Sequence, residues 1–219
     1  MATRRVLAWI SLAGPLIFIG LTIVLGLTWQ GYDPVRDTMS VLGAVDSPVG
    51  TVMNVMGFMG IGISILAFAG AYATTFRGRL ALVAVALLVV AGAGMTAVGF
   101  FPCDSGCADL TDTGRMHSLL SAPGAIGLPA AAMVSAAVFR HDGRLGTAWQ
   151  VTSFALGLIT LASGPVIAAE VIHGLNGLLQ RAAMWPALIW MAAVSARLLT
   201  VPALPAEALS PVTSPGARP

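Results

Sequence analysis

A small set of acids, histidines and one arginine recurs at spacings that chemistry uses. Glu170 and His173 are three residues apart, so a continued helix would carry both on one face, the spacing helix bundles use for metals. His117 is followed by Ser118 and Ser121, the latter one helical turn on. With Asp104 or Asp37 to orient the imidazole, that pattern would suit a nucleophile and its base, although no nucleophile elbow accompanies it. His117 also fits a proton acceptor or a metal ligand. The candidate metal set is His117, His173, Asp104 and Glu170 around a divalent ion; haem ligation by His117 and His173 is the other cofactor these residues would suit. Asp37 and Ser40 would share a face of a short helix, or Asp37 would cap the turn through the Ser40 N–H. Arg181 would pair with one of the carboxylates or with a lipid phosphate. Cys103 and Cys107 would form a small disulfide loop in an oxidising compartment, or hold a metal if helical. Ser105 and Gly106 between them favour the loop.

The elements that must position these groups are membrane helices. Of the 219 residues, 57% are hydrophobic and 9% charged, whereas soluble domains carry about 25% charge. Apolar runs at 6–28, 49–73, 80–101, 117–139, 146–169 and 178–200 each reach the ~20 residues that cross a bilayer. The expected fold is an all-α, six-helix transmembrane bundle over 1–201, followed by a proline-rich, disordered tail at 202–219. Arg4, Arg5, Arg77, Arg79, Arg140, Arg144, Arg197 and Arg218 alternate with loops holding most of the acids, which places both termini in the cytoplasm. The first run is too long for a signal h-region and reads as a retained helix. A net charge of +2 gives no footprint for nucleic acid.

The two longest connections, 29–48 and 102–116, then lie outside. Trp29 and Tyr32 suit the headgroup level. Asn54, inside the second run, needs partners in a dry setting and reads as an interhelical hydrogen bond. Pro123, Gly124, Gly127 and Pro129 should kink or locally unwind the fourth helix, which predicts a cavity or a tight helix contact just below His117. Pro165 and Pro186 should bend the fifth and sixth helices.

These residues resemble a known group, the bacterial membrane proteins of domain-of-unknown-function family 998. The likeness lies in Asp37-Thr38-Met39-Ser40-Val41-Leu42-Gly43 followed by Asn54, in Phe101-Pro102-x-Asp104 followed by His117, and in Gly177-Leu178-x-Gln180-Arg181. It spans about residues 6–200 and implies a six-span membrane fold without an established activity. The first loop and second run also resemble the Frag1/DRAM/Sfk1 membrane proteins, which are associated with lipid distribution and membrane traffic. The Cys103–Cys107 pair departs from the first pattern.

The expected working part is a polar pocket at the outer face, formed by Asp37, Ser40, Asn54, Asp104, His117, Glu170, His173, Gln180 and Arg181. Its expected ligand is a lipid or other amphiphile: Arg181 would hold an anionic head, His117 and the carboxylates its polar group, and the broken fourth helix would admit the tail. The alternative is an intramembrane enzyme with His117, Asp104 and Asp37 as its catalytic groups. It would be a metal-assisted hydrolase or an acid-catalysed lipid or isoprenoid transformer. A proton-coupled transporter fits less well, because no carboxylate lies at mid-membrane depth. A purely structural ion-pair cluster would produce the same residue pattern. Membrane lipids, and an amphiphilic small molecule, are the expected partners.

Overall fold

The structure is a computed structural model and describes residues 2–168 and 174–201. Glu170, His173 and the 202–219 tail lie outside the described residues. Six long helices account for nearly all the rest: α1 Ala2–Thr28, α2 Gly50–Ala73, α3 Arg79–Val98, α4 Asp112–Asp142, α5 Thr147–Ala168 and α6 Asn176–Thr200. Among the described residues there is no strand. All but α5 are long and apolar enough, over their described residues, to cross a membrane.

Each helix packs against the next in the chain, and α6 closes the ring against α1. The described chain ends therefore meet at one end of the bundle, where Arg4 Nη1 donates to the Val201 carbonyl at 3.0 Å. We call this end proximal and the opposite one, which carries the two longest loops, distal. Lipid is as apolar as leucine, so helix association relies on close packing and buried hydrogen bonds. Both are present. Ser11 donates to Ser195 across α1 and α6, Tyr72 to Ser135 across α2 and α4, and the Trp190 indole to Ser153 across α6 and α5. Phe68, Tyr72, Phe76, Phe139 and Trp190 form a buried aromatic stack around these bonds.

Two local features differ from expectation. α4 runs unbroken through Pro123 and Pro129. The expected unwinding is absent, and the small residues beside the prolines let α3 approach closely. A side chain at Gly124 would meet Met95 at 2.6 Å, and one at Gly127 would meet the Leu87 carbonyl at 2.8 Å. Both predicted consequences are found, tight contacts at these glycines and a small cavity lined by Ser121 and Ala125 just below His117. α6 likewise continues through Pro186. α2, in contrast, winds as a π-helix over Met53–Met59, the stretch that contains Asn54. Single turns of this kind inside α-helices frequently mark functional sites.

Candidate functional site

The distal residues singled out by the sequence fall into two clusters, joined by the Met39–Gly43 3₁₀ turn and the residues after it. In the first, the N-terminus of α6 docks on the 33–38 loop. Gly177 N–H donates to the Arg36 carbonyl at 3.1 Å and Leu178 N–H to Val35 at 3.0 Å. Gly177 is required here, because a Cβ would strike the carbonyls of Pro34 and Asp37. One turn on, Arg181 is 8% exposed and reaches back under the same loop. Its Nη1 donates to the carbonyls of Pro34 (2.7 Å), Asp37 (3.0 Å) and Gly177 (2.9 Å), and its Nη2 to the Tyr32 hydroxyl. Gln180 accepts from Met39 N–H at 2.7 Å.

Among the described residues the partners of Arg181 are thus all neutral. The expected pairing with a carboxylate is not made: among the described residues no acid comes within ion-pair distance of it. Asp37 offers Arg181 its main-chain oxygen, while its carboxylate accepts from Asp33 N–H at 2.8 Å. The expected Asp37–Ser40 cap is therefore absent; Thr38 begins the 3₁₀ turn without a side-chain cap. Tyr32 is buried, and its hydroxyl bridges Arg181 and the carbonyls of Asp37 and Thr38. Burial pushes its phenol above the ordinary range, with Arg181 acting in the opposite sense, so it stays protonated and able to donate.

The second cluster is built on Asp104. Its carboxylate accepts from the N–H groups of Leu110 and Thr111, both at 2.8 Å, and from the Thr111 hydroxyl at 2.7 Å. Thr111 in turn caps α4 through Gly114 N–H. The hydrogen bonds from Thr111, main chain first and hydroxyl second, hold the Asp104 carboxyl below its usual range. Gly114 packs directly on that carboxylate. Cys103 and Cys107 form a disulfide, with their Cα atoms 4.9 Å apart, and Gly106 and Cys107 take left-handed backbone to close the small loop. Val45 N–H donates to the Cys103 carbonyl and Ser105 to the Asp46 carboxylate, which fastens this cluster to the first loop.

His117 is 3% exposed and its Nδ1 lies 2.8 Å from the Phe101 carbonyl, so that nitrogen carries the proton. The ring stands edge-on to Phe58. The proposed nucleophile–base pair does not form: Ser121 donates to the His117 carbonyl, and Ser118 to Asp109. Asn54 donates to the Gly43 carbonyl at 2.9 Å, a helix-to-loop bond rather than the expected bond between helices. No group of three metal-ligating side chains exists among the described residues, and two members of the predicted metal set lie outside them.

Two spaces adjoin these clusters. A cavity of about 80 Å³ on the bundle axis is lined by Ser40, Ser121 and Gln180 above and by Phe18, Met95 and Met184 below. A larger groove of about 440 Å³ lies between α1 and α6. Arg181 and Tyr32 stand at its polar end, and Ile23, Leu27, Trp29 and Trp185 form its apolar walls. The Trp185 indole N–H has no hydrogen-bond partner among the described residues. Tyr32, Trp185 and the α1 face are what sequence reasoning missed as a site. Each is an ordinary membrane residue by type, and only the packing of α1 on α6 assembles them around Arg181.

The family model described as a protein of unknown function (DUF998) matches residues 12–197. The chain belongs to the DUF998 family. That match takes in both distal clusters and the α1–α6 groove. No curated protein and no solved structure matches the chain, so the chemistry of the DUF998 site rests on its geometry.

Proposed function

We propose that this protein is a six-span membrane protein with both termini cytoplasmic, and that its α1–α6 groove recognises a lipid or other amphiphile with an anionic head. The observation that carries the reading is Arg181, a buried guanidinium with neutral partners at the mouth of a groove. Carbonyl and phenol dipoles solvate its charge but do not cancel it, so an anion arriving through the groove meets an uncompensated cation in a low-dielectric setting. The apolar walls from α1 and the aromatic pair Trp29 and Trp185 suit an acyl or isoprenoid chain. Here the tail lies along α1, in place of the broken fourth helix first expected to admit it.

Native mass spectrometry of the protein released from nanodiscs containing phosphatidylglycerol tests the reading. Ile23→Trp fills the groove from an exposed wall position and should leave the unfolding temperature alone. The affinity of the groove for its anionic lipid should nevertheless fall about tenfold, a change of ~1.4 kcal/mol. Arg181→Lys keeps the charge but loses the fork and should fall less. Retention unchanged in both variants sinks the proposal.

A further inference from the structure

The proximal end of the bundle holds a second concavity, which the sequence marked only as a topology signal. The turn between α2 and α3 lies beside the turn between α4 and α5, and Arg144 laces them together. Its Nε and Nη2 grip the Asp142 carboxylate at 2.6 and 2.7 Å, and Nη2 also donates to the Thr75 carbonyl at 2.6 Å. The guanidinium rests over the Phe76 ring at 5.6 Å. Between the turns is a space of about 440 Å³ walled by Arg77, Arg79, His141 and Asp142, with Leu80 and Val138 beneath.

Its charge is lopsided. Asp142, the carboxylate in the wall, is already gripped by Arg144. No described acid pairs with Arg77 or Arg79, and Arg77 makes one contact of 3.3 Å to the Ala73 carbonyl. Two guanidinium forks and an imidazole therefore face a concavity whose single acid is neutralised, a donor set that matches phosphate oxygens. One turn along α3 from Arg79, Leu82 and Val83 are exposed apolar side chains on the same face. A soluble phosphate has no use for that apolar strip, but the chains of a lipid would run along it.

We propose that this concavity is a headgroup site for an anionic phospholipid, with Arg77 and Arg79 on the phosphate and the acyl chains descending beside Leu82 and Val83. The site is independent of the distal groove. The test uses the full chain in phosphatidylcholine nanodiscs containing a minor fraction of phosphatidylglycerol, with retained lipid read by native mass spectrometry. Arg77→Gln/Arg79→Gln should lower retained phosphatidylglycerol about tenfold, and Arg5→Gln/Arg140→Gln, which removes equal charge from exposed positions outside the concavity, should leave it nearly unchanged. To keep the distal groove out of the reading, all variants are compared on an Ile23→Trp background. Equal loss in the two double variants would mean a diffuse surface field and would overturn the site. Unchanged retention in Arg77→Gln/Arg79→Gln would overturn it as well. Displacement of the lipid by millimolar inorganic phosphate would overturn the lipid as its occupant; failure of phosphate to compete is the expected result.

Discussion

Arg181 and Asp104 are mirror images with different consequences. Each is a buried charge at the distal end, and each is solvated by main-chain and hydroxyl dipoles instead of an opposite charge. Around Asp104 the protein leaves no room: Gly114 packs on the carboxylate, and three donors use its two oxygens. Around Arg181 one side opens onto a groove of about 440 Å³. The same means of stabilising a charge therefore makes a sealed brace in one place and a receptive site in the other. Space beside the charge, not the charge itself, separates structure from function here.

The largest effect should come from Arg181→Ala. It removes a donor shared by three carbonyls and a phenol; the Tyr32 hydroxyl still reaches the Asp37 carbonyl, so the Pro34 carbonyl is the group left without a donor, at roughly 1–3 kcal/mol, and the packing of the side chain under the loop is lost with it. We expect a loss of about 3–5 kcal/mol in unfolding measured in detergent, together with release of the 33–38 loop. A near-neutral result would mean that Arg181 does not brace the loop, and the comparison would lose its first member.

Gly177→Ala should come next. The added methyl would strike main-chain oxygen atoms, which yield less readily than a flexible side-chain tip. A cost of roughly 1–3 kcal/mol is the expected range for overpacking. Because the loop would lift off α6, retained amphiphile should fall in parallel with stability. Loss of stability without loss of amphiphile would detach the groove from the loop that frames it.

Asp104→Asn sharpens the contrast from the other side. An amide replaces one acceptor oxygen with a donor that faces the Leu110 and Thr111 N–H groups or the Thr111 hydroxyl. The unfolding temperature should drop, and lipid retention at temperatures where the protein remains folded should not change. If retention falls as it does in Ile23→Trp, Asp104 belongs to the receptive site and the division drawn above is wrong.

Much of the fold was legible in the sequence, and less of the site. The six apolar runs fall on the six helices because length and hydropathy are local properties: 49–73 became Gly50–Ala73, and 178–200 became Asn176–Thr200. The third helix stops at Val98 rather than 101, where the chain turns toward Pro102 and the disulfide loop. The family motif also identified the distal residues that do pack together, among them Gly177, Gln180 and Arg181. Partner choice was not legible. A sequence shows that Arg181 carries a charge, but not that main-chain carbonyls will satisfy it before any acid does. Nor did the prolines of α4 betray that the helix would stay intact. Arg77 and Arg79 were readable by charge, His141 was not singled out, and the concavity they line lies between two turns, far apart in the chain, that Arg144 ties together.

The smallest effect under ordinary conditions is a pH dependence that belongs to one cluster only. The Asp104 carboxyl titrates below its usual range because the folded loop donates hydrogen bonds to its charged form. An unfolded chain binds that proton more readily, near the ordinary Asp value of about 3.9. The stabilisation is therefore complete above that value and is lost as pH falls through the lower folded value. From about pH 5 to 8 the 103–111 loop should hold its hydrogen exchange rates, after correction for intrinsic chemistry, and below about pH 4 the Leu110 and Thr111 amides should lose protection first. The contacts of Arg181 itself include no carboxylate, being carbonyls and a phenol whose pKa is raised, and the loop's carboxylates, Asp33 and Asp37, accept main-chain N–H groups on its exposed side. Gly177 and Leu178 amides should keep their protection while those of Leu110 and Thr111 lose theirs. Simultaneous loss at both places would show that the 39–45 segment couples the two clusters into one cooperative cap, and that sealed brace and receptive site open together.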